Sequence, residues 1–321
     1  WGRVGNSQIS GRRFAYLATV KDTNDTSYQF GKNMDQTYGT TAIDEYAVDV
    51  TWEIADKTNI GLDMRLLNNK FNLQFDAFKE SRKGIYLRRT SIPSYFGMIN
   101  NPYGNIGKVE NKGIEMSVSY ANSWRDWSLS VMGNYSFNRN KVLEDDSTVA
   151  YPWQKTIGNK VDQRFGLIAL GLFESPEEIA AAPVQDIRYK DINGDGKIDE
   201  YDKVPIGWGS VPEIVYGFGF SVGWKGLSLS AMFQGAAHVD AILSGEGVLP
   251  FAQGSSRGNL LSNITDRWTE ANPRQDVFYP RLSIGNMNMN YEASTWWLKN
   301  TSYLRLKNIE LSYTLPDRWM K

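Results

Sequence analysis

Residues 215–235 alternate between two kinds of side chain with a period of two, as in a β-strand whose faces meet different surroundings. Lys225 and Gly226 form a two-residue turn, which pairs Trp224 with Leu227. The large apolar positions are Tyr216, Phe218, Phe220, Val222, Trp224, Leu227, Leu229, Ala231 and Phe233, and the small ones between them include Gly217, Gly219, Ser221, Gly223, Ser228 and Ser230. The stretch therefore predicts a β-hairpin with one bulky apolar face and one small, hydroxylic face.

Two architectures accommodate such a hairpin. In a soluble β-sandwich or a lipocalin-like barrel, the apolar face lies in a core and the small face lies in water. In a transmembrane β-barrel, the apolar face contacts lipid and the small face lines a lumen. The solvated faces of soluble sheets usually carry several charged side chains, and these are scarce here. The hairpin alone leaves both architectures open.

Composition narrows the choice. The net charge of −1 offers no basic field for nucleic acid, and the absence of cysteine excludes disulfides and thiolate metal sites. Aromatic residues make up 13% of the chain, with 11 Trp and 17 Tyr, which is typical of proteins with aromatic girdles at a membrane interface. No apolar run reaches the roughly 18 residues of a membrane helix. If this chain spans a membrane, strands must do so.

Two further hairpins have the same pattern. One joins an apolar series at residues 60–66 to another at 71–77 through a turn at Asn68 and Asn69. The other joins residues 114–120 to residues 127–137 through a turn within residues 122–126. The second hairpin alternates its apolar set with Glu115, Ser117, Ser119, Ser128, Ser130, Asn134 and Ser136.

The remaining segments lack a sustained period and are expected to be loops. They include residues 82–112, 138–214 and 236–302, while residues 14–20 are expected to form one short strand and residues 21–41 a polar loop. Short turns within hairpins and long segments between them are typical of outer-membrane barrels. Within the second long segment, Ser175 and Pro176 predict the start of a short helix that Pro183 ends.

Residues 191–202 have the spacing of a twelve-residue calcium loop. Gly196 occupies the sharp-turn position 6, and position 12 is an aspartate where such loops usually have a glutamate. The upstream residues lack helical patterning, so we expect an isolated loop that holds a structural calcium ion. The alternative is a metal-free turn rich in Asp, Asn and Gly. The predicted ligands are Asp191, Asn193, Asp195, Lys197 through its carbonyl, Asp199 and Asp202.

Catalytic patterns are missing from the sequence. His238 is the one histidine of the chain and has no second His or Cys for a metal or nucleophile site, so we expect a bystander role. The glycines at residues 217–223 miss the dinucleotide-binding spacing and lie within a strand. A hydrolase would need a cleft with paired carboxylates, which sequence spacing cannot reveal. The chain is therefore predicted not to be an enzyme.

The final stretch, residues 297–316 (WLKNTSYLRLKNIELSYTLP), resembles the penultimate barrel strands of SusC/RagA-type TonB-linked outer-membrane transporters. Further matches occur in the same order along nearly the whole chain, at residues 57–63 (KTNIGLD), 107–115 (GKVENKGIE), 189–190 (YK), 212–213 (PE), 267–269 (RWT), 272–273 (NP) and 279–281 (YPR). The resemblance implies an all-β fold in which residues 1–321 form the C-terminal part of an antiparallel transmembrane β-barrel of about 22 strands with long extracellular loops. It also implies that the N-terminal plug, the first strands and the last strand are absent, and we expect this chain to be a piece of a longer protein.

The same resemblance implies import of oligosaccharides or peptides across the bacterial outer membrane. It further implies a SusD-like surface lipoprotein as a lid, the TonB complex as a partner through the missing N-terminal part, and outer-membrane lipid around the barrel. Strand parity then places the calcium loop outside the cell, where millimolar calcium can fill even a weak site.

Loop aromatics are the candidate ligand or lid contacts, because flat rings stack on sugars and pack well at interfaces. Packing within their own loops, or in girdles, is the alternative for each. The candidates are Tyr95, Phe96, Tyr103, Trp153, Trp208, Trp296 and Trp297. The rival function class is a soluble, secreted β-sandwich binding module stabilised by calcium.

Overall fold

The structure, a computed structural model, describes residues 1–6, 14–34, 36–96, 98–173, 186–251, 260–282 and 288–316. The helix predicted at residues 175–183 lies outside these ranges. Among the described residues, every helical segment is a short 3-10 turn and none could cross a membrane. These turns are Ser94–Phe96, Pro152–Gln154, Glu200–Asp202, Ser262–Thr265 and Asn288–Tyr291.

Antiparallel β-strands dominate the described chain. They are β1 (Gly2–Asn6), β2 (Thr19–Phe30), β3 (Gln36–Glu45), β4 (Glu53–Leu66), β5 (Phe71–Arg88), β6 (Tyr103–Trp124), β7 (Trp127–Glu144), β8 (Arg164–Gly166), β9 (Ala169–Leu172), β10 (Ile187–Tyr189), β11 (Val204–Ile206), β12 (Ile214–Trp224), β13 (Leu227–Ala237), β14 (Asp240–Ile242), β15 (Leu298–Asn300) and β16 (Tyr303–Tyr313).

The chain divides into two compact units. The first comprises residues 1–120, 136–149 and 155–161. Its main sheet has the order β1, β4, β5, β6 and part of β7, and β2 pairs with β3 in a separate hairpin. The β4–β5 register pairs Leu66 with Phe71, which confirms the predicted hairpin around Asn68 and Asn69.

The second unit comprises residues 121–135, 150–154 and 162–321. Its main sheet contains part of β7 followed by β12, β13 and β16, and Trp224 pairs with Leu227 as predicted. The long segments between these strands fold on themselves through the small pairs β8–β11, β9–β10 and β14–β15. Two buried clusters lie within these segments, one around Ile187 and one around Trp297.

The strands of the first unit extend further than the apolar alternation predicts. Strand β5 continues to Arg88 and β6 begins at Tyr103, so the loop predicted at residues 82–112 is confined to residues 89–102. The extension is polar, and ion pairs such as Lys57 to Glu80 (3.1 Å) join neighbouring strands there. Cross-strand charge pairs stabilise a sheet without an apolar face, which explains why the hydrophobic period stops early.

The start of the chain also differs from the prediction. Residues 2–6 form β1, and residues 19–45 form the β2–β3 hairpin in place of the expected short strand and polar loop. The sequence of β2 is rich in Thr, Asp and Asn, which have low or context-dependent strand propensity. A polar sequence of this kind lacks the apolar alternation from which a hairpin can be predicted.

Large apolar side chains are exposed along one face of the strands. In the first unit the side chain of Ile60 is 72% exposed, and in the second unit those of Phe218 and Phe220 are 43% and 38% exposed. Gly217 and Gly219, which point to the other face of β12, are buried. A broad exposed apolar face marks a surface that contacts something other than water.

Candidate functional site

The Asp-rich loop of the second unit, residues 191–202, is held in shape by hydrogen bonds to its own carboxylates. Asp191 accepts hydrogen bonds from the backbone N–H groups of Gly194 (2.7 Å) and Gly196 (2.8 Å). Because these amides, that of Gly196 above all, stabilise the charged form, the pKa of Asp191 lies below its ordinary value. Gly196 has φ of +80°, a left-handed conformation that favours glycine at the sharp turn.

Asp202 closes the loop from its far end. Its side chain is fully buried and accepts hydrogen bonds from the N–H groups of Ile192 (2.7 Å) and Asp199 (3.0 Å). Position 12 of the loop is therefore tied to position 2, and Asp199 reciprocally caps the 3-10 turn Glu200–Asp202. The aspartate at position 12, where such loops usually have a glutamate, thus joins the two ends of the loop by hydrogen bonds.

Two neighbouring aromatics attach this loop to the preceding segment. The indole Nε1 of Trp153 donates to the carbonyl of Tyr201 at 2.9 Å, and Gln154 donates to the carbonyl of Glu200 at the same distance. Tyr151 stacks on Trp153 with ring centroids 4.6 Å apart and meets Tyr201 edge-on at 5.6 Å. The structure thus brings together two predicted features, Trp153 and the Asp-rich loop.

An ion pair and an apolar side chain hold the other side of the loop. Lys203 contacts Glu200 at 2.6 Å and Glu292 at 2.9 Å. Burial alone would lower the pKa of Lys203, but these two carboxylates raise it. Ile198, at position 8 of the loop, packs on the cluster that contains Ile187. The loop is consequently anchored to a core and is not a free surface turn.

In the parts of the chain that the structure describes, no group of three His, Cys, Asp or Glu side chains lies close enough to hold a metal ion. The carboxylates of Asp191 and Asp195 bond to backbone amides. Each carboxylate oxygen has two lone pairs and retains acceptor capacity after one such bond. The oxygen-rich donor set suits a hard cation such as calcium.

Two candidate aromatics in the first unit are widely exposed. Tyr95 and Phe96 are 83% and 62% exposed and stack on each other with centroids 5.3 Å apart. They lie in the turn Ser94–Phe96, between β5 and β6. Tyr103 stacks on Tyr86 at 5.1 Å, and Tyr86 is buried. Tyr95 and Phe96 can contact a ligand, whereas Tyr103 mainly covers its neighbour.

In the second unit, Trp208 forms an aromatic platform with His238. The rings are parallel within 6°, with centroids 4.0 Å apart. The His238 Nδ1 lies 3.1 Å from the carboxylate of buried Glu213, and the Trp208 backbone N–H donates to buried Asp240. His238, which was predicted to be a bystander, stacks on Trp208, one of the predicted contact residues. Sequence offered no signal, because 30 positions separate the two rings.

Trp296 and Trp297 pack inside their own segment. Trp297 is 1% exposed, lies against Tyr279 and Leu249, and donates its indole N–H to the carbonyl of Asn290 at 2.7 Å. Trp296 touches both buried clusters and donates to the carbonyl of Phe278 at 3.2 Å. The burial of Trp297 gives it a packing role, which is the alternative stated for each loop aromatic.

The face of the first unit that lies opposite its exposed apolar face is polar and charged. Arg82 contacts Glu53 at 2.8 Å and Glu80 at 2.7 Å, and Lys57 also contacts Glu80. Sequence reasoning missed this cluster because it assigned residue 82 onward to a loop. The alternation of Lys79, Ser81 and Lys83 with Glu80 and Arg82 could have indicated that the strand continues past the apolar part. The face continues toward the turn with Asp63, Arg65, Asn72, Gln74, Ser117 and Ser119.

An antiparallel sheet with one exposed apolar face, one polar face, short turns at one end and long segments at the other defines the wall of an outer-membrane β-barrel. Residues 20–320 match the TonB dependent receptor-like beta-barrel family, and the chain belongs to that family. Such barrels reside in the bacterial outer membrane. The architecture of the chain is therefore that of an outer-membrane β-barrel and not the soluble β-sandwich stated as the alternative.

The chain is also similar in sequence to individual TonB-dependent receptors. The chain is 28% identical to TonB-dependent receptor P26 of Formosa agariphila and 24% identical to TonB-dependent receptor SusC of Bacteroides thetaiotaomicron. These alignments cover 84% and 99% of this chain but 28% and 31% of the relatives. The chain thus spans about a third of their length and is a barrel portion of the SusC/RagA type.

The fold has a counterpart among solved structures. The RagAB peptide importer in its open-open state matches 99% of this chain with a TM-score of 0.68 and 20% identity, over 33% of that chain. The closed-closed state matches with a TM-score of 0.65. These likenesses establish the strand arrangement as that of this barrel class.

Proposed function

We propose that this chain is the C-terminal barrel portion of an outer-membrane importer that takes up neutral, hydroxyl-rich oligosaccharides. The observation that carries the proposal is the polar face of the sheet, which runs opposite the exposed apolar face. In β12 and β13 that face is mostly Gly and Ser, with Met232 and Gln234 opposite Gly219 and Gly217, and Ser221 is directly paired with Ser230. This hairpin offers hydroxyl and backbone contacts without fixed charge, whereas the polar face of the first unit also carries charged side chains such as Asp63 and Arg65.

Exposed aromatic rings at the loop segments support an oligosaccharide. Tyr95 and Phe96 are widely exposed, and Trp208 is 41% exposed on its stack with His238. Apolar ring faces pack against the C–H faces of sugars, and the rigid backing of Trp208 lowers the ordering cost of binding. Peptide import is the second candidate, favoured by the fold shared with a protein described as a peptide importer.

Uptake by cells that carry the full-length parent tests this proposal. We expect labelled neutral oligosaccharides to enter, and the double variant Tyr95→Ala/Trp208→Ala to raise the half-saturating concentration roughly tenfold. The matched control is Tyr16→Ala, since Tyr16 is a 64% exposed aromatic outside the candidate set. Uptake of peptides alone would overturn the oligosaccharide assignment, and equal effects of both variants would overturn the roles of Tyr95 and Trp208.

We also propose that the parent works with two partners, a SusD-like surface lipoprotein as a lid and the TonB complex through an N-terminal part. Support comes from family membership and from the relatives SusC and RagAB. Affinity purification of the tagged full-length parent should recover one surface lipoprotein in equal amount. Recovery of the parent alone from mild detergent would argue against a stable lid.

The Asp-rich loop is proposed to hold a structural calcium ion through Asp191, Asn193, Asp195, the Lys197 carbonyl, Asp199 and Asp202. The ion would stiffen the segment that Trp153 and Ile198 anchor. Calorimetric titration of the full-length parent should detect calcium but not magnesium, because calcium accepts more oxygens in a looser geometry. Asp195→Asn should weaken the binding, whereas Asp276→Asn at an 83% exposed loop carboxylate should not. Binding that is identical in the two variants would refute the site.

A further inference from the structure

A row of lysines borders the exposed apolar face of the first unit. The β4–β5 and β5–β6 registers align Ile60, Ala77 and Ile114 in one row on that face. Two residues further from the turn, the next row on the same face contains Lys79 and Lys112, which are direct cross-strand partners. Their side chains are 61% and 64% exposed. The apolar face therefore ends at ammonium groups.

More cations follow in the next two rows of the same face. Arg3 of β1 lies opposite Asp56, and Lys83 pairs with Lys108. We call Arg3, Lys79, Lys83, Lys108 and Lys112 the basic belt. All five lie in the first unit, at the end of the strands remote from the short turn at residues 67–70.

The acids within the basic belt do not neutralise it. Asp56 is shared by Arg3 at 2.6 Å and Lys83 at 3.3 Å. Glu110 is likewise shared by Lys79 at 2.6 Å and Lys112 at 3.8 Å. Lys108 is paired with Glu144 at 3.1 Å. Asp56 and Glu110 each face two cations, so three carboxylates balance three of the five cations of the basic belt. The remaining charge is positive and lies directly beside an apolar surface.

We propose that the basic belt binds the headgroup phosphates of an anionic lipid in the outer leaflet. Lysine stems lie along apolar surface while their ammonium groups reach the headgroup level. Phosphate oxygens are strong acceptors for lysine ammonium groups. The short turns of such barrels are periplasmic, so the belt lies at the external leaflet. The proposal rests on the membership of the chain in the barrel family and does not depend on the substrate that is imported.

The experiment uses the full-length parent, purified in mild detergent and titrated with mixed micelles that contain a phosphorylated lipid. The same lipid without its phosphates is the comparison probe. Lys79→Gln/Lys112→Gln should lower the affinity for the phosphorylated lipid roughly tenfold or more, since each lysine near a lipid surface strengthens such binding roughly fivefold. The charge-matched control is Lys57→Gln/Lys70→Gln, which removes one cation from the opposite face and one from the turn.

A second variant separates lipid binding from internal ion pairing. Glu110→Gln removes the acid between Lys79 and Lys112, so lipid affinity should stay equal or rise. If the lysines served only to pair with Glu110, Glu110→Gln and the double lysine variant would behave alike, which would overturn the proposal. Heat-modifiable gel mobility verifies that each variant is assembled, and the single variant Lys112→Gln replaces the double variant if that one does not assemble.

Two further outcomes are decisive. Equal binding of the phosphorylated and dephosphorylated lipids would overturn the phosphate assignment. Full competition by inorganic phosphate at the concentration of the lipid phosphate would show a site for free anion and would overturn the lipid assignment. Discrimination between the lipids without such competition would establish a lipid-borne phosphate site, whatever solute the parent imports.

Discussion

At the scale of single residues, the surroundings of a side chain decide its role where residue type cannot. Trp208 and Trp297 are both loop tryptophans, and the sequence predicts the same contact role for them. Trp208 is 41% exposed, whereas Trp297 is 1% exposed in a cluster with Tyr279 and Leu249. The partners of Trp297 lie up to 48 positions away in the sequence, so local pattern could not reveal its burial. The Asp-rich loop was predictable because all its parts are local.

The burial of Trp297 leads to a stability prediction. Trp297→Ala would leave a large cavity and an unpaired Asn290 carbonyl, and should destabilise the segment by about 3–5 kcal/mol. Limited proteolysis of the full-length parent should then show rapid cleavage near residues 243–297. Tyr95→Ala is the control, because Tyr95 is 83% exposed and its loss should leave the cleavage pattern unchanged. Slow cleavage of the Trp297 variant would mean that the segment does not depend on this core.

Asp146 gives a prediction about pH. Its carboxylate accepts hydrogen bonds from the N–H groups of Thr90 (2.9 Å) and Ser91 (3.1 Å) at the start of the loop after β5. Burial raises the pKa of Asp146, but these bonds, the Ser91 hydroxyl and nearby Arg89 outweigh burial and lower it. A lowered folded-state pKa gives stability that is complete above the unfolded value of about 3.9 and is lost as pH falls through the folded value.

Protease cleavage within residues 89–102 should therefore stay slow from neutral pH to about pH 4 and accelerate below it. Asp146→Asn should speed cleavage by roughly three- to tenfold at neutral pH, because the neutral amide lacks the negative charge that strengthens these hydrogen bonds and attracts Arg89. The variant should also lose the acid dependence. Cleavage that accelerates equally in both proteins at low pH would assign the effect to another group.

At the scale of elements, apolar alternation predicted the hairpins and their turns but not the full length of their strands. The β12–β13 register is as predicted from Trp224 and Leu227 outward. Strands β5 and β6 run beyond their apolar parts through charge pairs, and the sequences of β2 and β3 show no sustained apolar alternation. Turn chemistry and hydrophobic period are local signals, whereas polar strands are specified by partners elsewhere in the chain.

The turn of the β12–β13 hairpin is sensitive to one glycine. Lys225 and Gly226 have φ of +47° and +88°, as in a turn whose two central residues are left-handed. A Cβ on Gly226 would lie 2.8 Å from the carbonyl oxygen of Thr314. Gly226→Val should cost about 1–3 kcal/mol and reduce the assembled fraction, whereas Lys225→Asn should be neutral or stabilising. Refolding into detergent, followed by heat-modifiable mobility, measures both. Equal assembly of the two variants would show that the turn does not limit hairpin formation.

At the scale of the whole molecule, the period of the strands predicted two faces, and the comparisons assigned the chain to an outer-membrane barrel family. The sequence could not predict which long-range contacts order the external segments, because those contacts join residues up to 128 positions apart, as between the N–H group of Thr295 and the carbonyl of Leu167. It also could not predict the charged rows beyond the apolar part of β4 to β6, since register across strands was needed to align them.

The assignment of the two faces is testable at adjacent residues of one strand. Phe220 is 38% exposed and is paired with Ala231, and Ser221 is paired with Ser230 on the opposite face. Arginine on a lipid face costs about 2–4 kcal/mol near the membrane centre, while a lumenal arginine is solvated. Phe220→Arg in the full-length parent should therefore reduce the heat-modifiable fraction in the outer membrane, and Ser221→Arg should assemble normally. The two substitutions add the same charge at neighbouring positions, so they differ only in the face of the sheet on which the arginine side chain lies. Equal assembly of both, or loss with Ser221→Arg alone, would reverse the assignment of lipid and lumen faces on which the transport proposal and the basic belt both depend.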